Sequence, residues 1–353
     1  MELTFYRGKR VLVTGHTGFK GSWLCRMLVN AGAIVTGCSL DAPTQPNLFE
    51  LSGLGRRITD IRADVRDFDR LMQVFAEAQP EIVFHLAAQP IVRESYRNPR
   101  ETYEINVMGT VNLLECVRRC GSVKSVVNVT TDKVYRNNEW SWGYRENETL
   151  DGFDPYSNSK SCSELVTATY LRCFFSGEGA PAVSTARAGN VIGGGDFAGD
   201  RIIPDCIRAA AAGKPIEVRN PHSVRPYQHV LEPLAVYLMI GQKQYEDKTY
   251  AGCYNVGPEE CDCLTTGQLA ELFCHHWDGA RWESRAQENA PHEANFLKLD
   301  CSALKAVFGW RPRWHMDTCM EMVCRFTRVW LDGGDIGQEM DREIAVFLSE
   351  EER

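Results

Sequence analysis

Missing from this sequence is any apolar run able to cross a membrane: the longest stretches, such as Leu234 to Ile240, fall far short of the roughly 20 residues required. A basic surplus is missing as well. With 39 Lys and Arg against 47 Asp and Glu, the net charge is −8, and general nucleic-acid binding is excluded because phosphate backbones demand a basic face. Any anionic ligand must therefore be held by a few local arginines. The opening residues Met1, Glu2, Leu3 and Thr4 lack the basic-then-apolar plan of an export signal. The expectation is a soluble cytoplasmic protein with no membrane partner. Internal repeats and low-complexity tracts are absent. So are paired C-x-x-C knuckles, although the chain has 14 cysteines. The one dense patch, Cys253, Cys261, Cys263, Cys274, His275 and His276, has irregular gaps, so no metal is expected there. Most other thiols sit singly in apolar segments, for example Cys25, Cys38, Cys116 and Cys173, as small hydrophobes rather than parts of a disulfide framework.

What is present is ordinary globular composition, 44% apolar and 24% charged over 353 residues, enough for roughly two domains of about 150 residues. Short β-branched runs alternate with longer amphipathic segments, which predicts βαβ units and a parallel sheet. Strands are expected at Arg10–Gly15, Ala33–Ser39, Ile58–Ala63, Glu81–Ala88, Ser125–Thr131 and Val183–Ala188. Helices are expected at Gly18–Ala31, Asp67–Ala78, Thr102–Cys120 and from Asp154 or Pro155 to about Phe174. After Gly189 the rhythm breaks into Gly- and Pro-punctuated short elements. The expected class is α/β: a doubly wound parallel sheet over residues 1–189, with a smaller mixed α/β substrate lobe over 190–353 and chain crossings between them.

Three constellations carry chemistry. Gly15-His-Thr17-Gly18-Phe19-Lys20-Gly21 follows a strand and opens a helix, where glycines allow a tight turn and close approach to a pyrophosphate. Tyr156 and Lys160 stand four residues apart on one helix face. A phenol of ordinary pKa, about 10, is a poor base at neutral pH, and a nearby ammonium favours the phenolate. Thr130-Thr131-Asp132-Lys133 closes a strand at the carboxyl edge of the sheet, where ligands of such folds bind.

The G-x-x-G-x-x-G spacing, the Tyr156/Lys160 pair, Asp64, the His85-Leu86-Ala87-Ala88 segment and Asn106 together resemble the extended short-chain dehydrogenase/reductase family, with its Rossmann-type sheet. That resemblance implies Asp64 and Val65 facing adenine, with Leu86, Ala87, Ala88 and Gln89 lining the cofactor. Where relatives place a ribose-binding carboxylate, this chain has Ser39, with Asp41 two residues on. No arginine stands there for a 2′-phosphate, so NAD is favoured over NADP.

Sugar-nucleotide 4,6-dehydratases of the family carry Thr-Asp-Glu where this chain has Thr131-Asp132-Lys133. Further segments, Glu139–Glu146, Asp154–Lys160, Arg187-Ala-Gly-Asn190, Asn220–Pro226, Pro291-His292-Glu293 and Lys298-Leu-Asp300, resemble the branch acting on CDP-glucose. By resemblance, the reaction is an internal redox cycle that yields a 4-keto-6-deoxy sugar. Tyr156 is then the C4 base and Lys160 the holder of the cofactor ribose. Thr131 binds the C4 oxygen, Asp132 is the proton donor to the leaving hydroxyl, and Lys133 is the C5 base or an enolate stabiliser. Arg225 leads the candidates for the pyrophosphate, followed by Arg219 and Arg201. Arg187, Asn190 and His292 complete the substrate set. Trp140 and Trp142 either stack on a base or anchor their loop. Pairing through Thr102–Cys120 and Pro155–Phe174 into a homodimer or homotetramer is implied. A dehydratase or 4-epimerase for another nucleotide sugar, and a non-catalytic dinucleotide sensor, stay open at this stage.

Overall fold

The computed structural model describes residues 3–285 and 296–349. Seven parallel strands form the central sheet: β1 (Arg10–Thr14), β2 (Ile34–Ser39), β3 (Thr59–Arg62), β4 (Ile82–His85), β5 (Ser125–Thr131), β6 (Ala182–Ala188) and a seventh, Cys253–Val256. Their spatial order is seventh, β6, β5, β4, β1, β2, β3. Side chains alternate between faces, as the pleat requires. Val11, Val13, Phe84 and Val127 join a core with helix α1 (Phe19–Asn30) and the second lobe, whereas Leu12, Val83 and Val126 face the helices Phe68–Ala78 and Gly109–Arg119. Both faces are therefore dry, which is why these strands read as unbroken apolar runs. The strand order reverses between β1 and β4, and the crevice beyond their carboxyl ends is where such a sheet binds ligands.

The chain crosses back after the first lobe. Helix Leu231–Glu246 packs on the sheet, with Gln244 Nε2 donating to Ser125 Oγ (2.8 Å) and to the Val126 carbonyl (2.9 Å). The seventh strand then pairs with β6, so residues beyond 189 complete the sheet as well as building the second lobe. The last helix, Ile336–Ser349, returns to α1, where Arg26 pairs with Asp341 and donates to the Gly337 carbonyl (2.8 Å). Among the described residues no helix is long and apolar enough to cross a membrane.

Two elements differ from the sequence reading. The fourth strand stops at His85, because Leu86 to Ala88 turn over the crevice instead of extending the ladder. The expected helix Thr102–Cys120 is broken by a π-turn at Glu104–Met108. There Asn106 turns inward, accepting from Gln89 N–H (2.9 Å) and donating to the Gln89 carbonyl (3.1 Å) and Ser159 Oγ (2.8 Å). Such bulges recur where a side chain is needed off the regular helical grid. Cys25, Cys38 and Cys116 are buried, but Cys173 lies exposed near the end of helix Pro155–Phe174, and every thiol is free.

The carboxy-terminal helix is keyed by a dry contact: His229 Nε2 lies 2.9 Å from Glu343 Oε1, both side chains fully buried, without a hydrogen bond between them. Leu231 N–H donates to His229 Nδ1 (3.3 Å). Replacing Glu343 by Ala opens a cavity beside the buried imidazole. The expected loss is about 2–5 kcal/mol, read as a lowered denaturation midpoint.

Candidate active site

A cavity of about 600 Å³ occupies the crevice. At one end the glycine motif is held by contacts that tolerate no side chain. Gly15 has φ +75°, and a Cβ there would sit 2.7 Å from Ala87 N; one on Gly21 would sit 2.1 Å from the Gly15 carbonyl oxygen. Helix α1 begins at Gly18 without a side-chain cap. Its first amides are thus left to an anion in the cavity. These features fit a dinucleotide pyrophosphate.

Gly15, Thr17, Gly18, Phe19, Lys20, Gly21, Ser39, Asp64, Val65, Leu86, Ala87 and Ala88 all line the cavity. Gln89 does not. Its side chain folds back onto its own loop, donating to the Ile91 carbonyl (3.1 Å) and Thr102 Oγ1 (3.0 Å) and accepting from Ile91 N–H (2.6 Å). The reading that no arginine stands at the ribose end also needs correction. Parallel pairing places Ser39 opposite Arg62, which donates to the Leu40 carbonyl (3.1 Å) and pairs with Asp60 (2.9 Å) and Asp41 (3.4 Å). Asp41 lines the cavity and Arg62 does not. The anionic partner is therefore the one presented, as a ribose with free hydroxyls requires.

Thr131, Asp132, Lys133, Tyr156 and Lys160 line the same cavity. Strand β5 delivers Thr131 and Asp132. Helix Pro155–Phe174, started by Asp154 accepting from Ser157 N–H (2.9 Å), delivers Tyr156 and Lys160 on one face. Thr131 Oγ1 donates to Asp132 Oδ1 (2.9 Å). Burial pushes the Tyr156 phenol up to about 12, against the pull of its hydrogen bond with Thr131. Burial brings Lys160 down to about 8, and its ammonium donates to the Val129 carbonyl (3.1 Å). Desolvation, aided by the charges of Arg201 and Lys160, brings Lys20 down to about 7.

Asp132 is 1% exposed, and its Oδ2 makes no hydrogen bond among the described residues. Burial raises its pKa, the Lys133 charge and the Thr131 hydroxyl only partly offsetting this. A Cβ on Gly189 would lie 2.9 Å from that oxygen, so the carboxyl owes its room to a glycine. Burial thus shifts the group towards the protonated form that a proton donor needs.

The substrate candidates divide. Asn190 and Arg201 line the cavity, Arg201 pairing with Asp196 (2.9 Å). Arg187 is a correction. Its guanidinium lies within the sheet, with Nε and Nη2 each 2.9 Å from Glu164 and Nη1 donating to Tyr135 Oη (2.8 Å) and the Glu146 carbonyl (2.9 Å). Four of its five donors are committed, so it braces β6 instead of gripping a phosphate. Arg219 pairs with Asp200 (2.9 Å) outside the cavity lining. Arg225, 2% exposed, lies on Val224–Pro226 behind the wall, where its charge reaches Asp132. His292 lies outside the described residues. Trp142, Trp140, Tyr144 and Tyr135 stack in series at 5.1, 5.6 and 5.4 Å, ending on the Arg187 guanidinium, so the indoles anchor their loop away from the cavity. Sequence reasoning missed Pro43, Thr44, Asn47 and Leu48 and the segments 90–92 and 195–199, all of which line the cavity. Pro43–Pro46 and Gly193–Gly195 signalled irregular backbone, but not where it would lie.

A family model described as GDP-mannose 4,6 dehydratase matches residues 12–323. A CDP-glucose 4,6-dehydratase of Salmonella typhimurium is 47% identical over 99% of this chain and 99% of its own. Two solved structures share the fold. One is the Thermus thermophilus UDP-glucose 4-epimerase complex with NAD (TM-score 0.80, 24% identity, covering 90% of this chain and 99% of that one). The other is a Bacillus anthracis dTDP-glucose 4,6-dehydratase in complex with NAD (TM-score 0.74, 20% identity, covering 91% and 97%).

The raised Asp132 pKa carries a stability cost with a definite sign. Between its ordinary value of 3.8 and the raised folded value the unfolded chain has released this proton while the folded chain keeps it. The contribution is therefore full below 3.8 and fades as pH rises through the raised value. Asp132→Asn is expected to melt higher than the parent at pH 8, with the gap closing towards pH 4, and to lose most turnover. Paired thermal melts across pH measure this.

Proposed function

The chain belongs to the GDP-mannose 4,6-dehydratase family of nucleotide-sugar enzymes, and from that premise we propose that it is an NAD-dependent lyase converting CDP-glucose to CDP-4-keto-6-deoxyglucose. The identity to the Salmonella enzyme, extending end to end, supports the substrate. The observation that carries the reaction type is the buried Asp132, its pKa raised by desolvation, hydrogen-bonded to Thr131 in the cavity that Tyr156 also lines. A 4-epimerase needs the phenol but no acid for a leaving hydroxyl.

When bound, NAD supplies the hydride acceptor for C4 and returns that hydride at C6. Tyr156 takes the C4 hydroxyl proton, Thr131 holds the C4 oxygen, and Lys160 orients the cofactor ribose while its charge favours phenolate. Once C4 is a ketone the C5 hydrogen is acidic; Lys133 removes it as a proton and, after exchange with solvent, returns a proton to C5 as the hydride is delivered to C6. Asp132 protonates the C6 hydroxyl, which departs as water. Lys20 and the uncapped start of α1 face the cofactor pyrophosphate, and Arg201 with Asn190 faces the sugar nucleotide. Residues 1–189 then hold the cofactor, and residues 190–353 supply most of the substrate wall. The setting is the cytoplasm, where all the thiols, free in this structure, stay reduced.

Assayed with CDP-, dTDP-, GDP- and UDP-sugars, the protein should form the alkali-absorbing 4-keto-6-deoxy product from CDP-glucose in preference to the others. Faster turnover of a different nucleotide would displace this reading. In deuterated water the product should gain one deuteron at C5, and Lys133→Ala should lose that exchange together with about 100-fold in rate.

The assembly belongs to the same proposal. Met108 and Leu165 are about half exposed on helical segments that pack side by side, with Phe174 exposed at the end of the second. We read this face as the contact between two copies. Leu165→Arg should halve the mass measured in solution, and an unchanged mass would rule the face out.

A further inference from the structure

The cysteine and histidine patch that sequence spacing dismissed does not assemble. Cys253 opens the seventh strand, the Cys263 thiol turns to the Glu259 carbonyl (3.9 Å), and His276 pairs with Asp317 (2.8 Å). The fold builds a different group. Cys261 and Asp262, in the turn Glu260–Asp262, meet His315, the residue just before helix Met316–Leu331. Their ligand atoms all lie within 4.8 Å of one another. His315 Nδ1 lies 2.8 Å from Asp262 Oδ2, Cys261 Sγ is 3.6 Å from that oxygen, and Sγ is 4.0 Å from Nδ1.

We propose that Cys261, Asp262 and His315 form a binding site for a borderline-soft divalent cation of the zinc class, separate from the catalytic cavity. None of the three residues lines that cavity. A tetrahedral ion with bonds of about 2.0–2.3 Å has edges of about 3.3–3.7 Å between its ligands. The three observed separations straddle that range. Closing the difference needs only rotation of Cys261 and His315, both exposed, about a carboxylate that is already fixed. Asp262 is fixed because its Oδ1 accepts from Met316 N–H (2.9 Å), which leaves Oδ2 pointing at the other two. Thiolate with imidazole selects zinc, cobalt or cadmium over magnesium and calcium, which require hard oxygen donors. The nearby acids do not compete, since Glu259 pairs with Lys305 (2.8 Å) and Glu260 with Lys298 (2.9 Å). The fourth corner opens to solvent, where a water completes the set. On binding, the thiol releases one proton and the imidazole proton moves to Nε2. The ion then ties helix Met316–Leu331 to the strand Cys263–Thr265, whose partner Val224–Pro226 carries Arg225.

Cobalt titration of the full-length protein tests this. One equivalent per chain should bind with a thiolate-to-cobalt charge-transfer band, and zinc should displace it. Cys261→Ser should abolish the band, and His315→Gln should weaken binding by at least about tenfold, with both variants melting like the parent in chelator. Zinc should also slow alkylation of Cys261 while exposed Cys173 and Cys253 label as before. A cobalt spectrum without the thiolate band overturns the site. So does binding that survives Cys261→Ser, or an alkylation rate at Cys261 that ignores zinc.

Discussion

Taking a carboxyl out of water is the constraint on which the rest of this site depends. Asp132 follows the end of the central strand β5, with one oxygen bound to Thr131 and the other in a dry gap kept open by Gly189. Neutrality is its least costly state there. The same dryness holds Tyr156 protonated and depresses Lys160 and Lys20. Burial sets these protonation states more than any single partner does, and the phenol can act as a base only once a cation beside it favours phenolate.

Holding several titratable groups in a dry cleft demands a stiff support. The helix that carries Tyr156 and Lys160 meets the sheet through polar contacts: Asn128 Nδ2 donates to Ser163 Oγ (3.0 Å) and Thr167 Oγ1 (2.9 Å), and Glu164 accepts from Thr130, Thr185 and Arg187. A buried pair such as Glu164–Arg187 adds little net stability over an apolar replacement, but breaking it is expensive, so it fixes register. The aromatic stack running outward from Arg187 extends that brace into the loop over residues 140–144.

Charge is distributed to match. An acidic protein concentrates Lys20, Lys133, Lys160 and Arg201 around one cavity. Asp41, Asp64, Asp132 and Asp196 line the same cavity, so an anionic ligand is held by where these cations stand and not by a net positive wall, while the acidic surface as a whole repels polyanions.

The sequence by itself determined the parallel sheet, the glycine turn and the pairing of Tyr156 with Lys160. Their cause is local: apolar periodicity, backbone conformation and a four-residue helical spacing act within a few residues of chain. What needed the tertiary structure were the roles set by distant partners. Arg187 became a brace because Glu164 lies opposite it, Gln89 turned inward to Thr102, and Arg62 reached Asp41 across a strand pair. Cys261 and its neighbour Asp262 found His315, far away in the chain. A side chain's pattern in the chain says which bonds it is able to make, and only packing decides which of those are already taken.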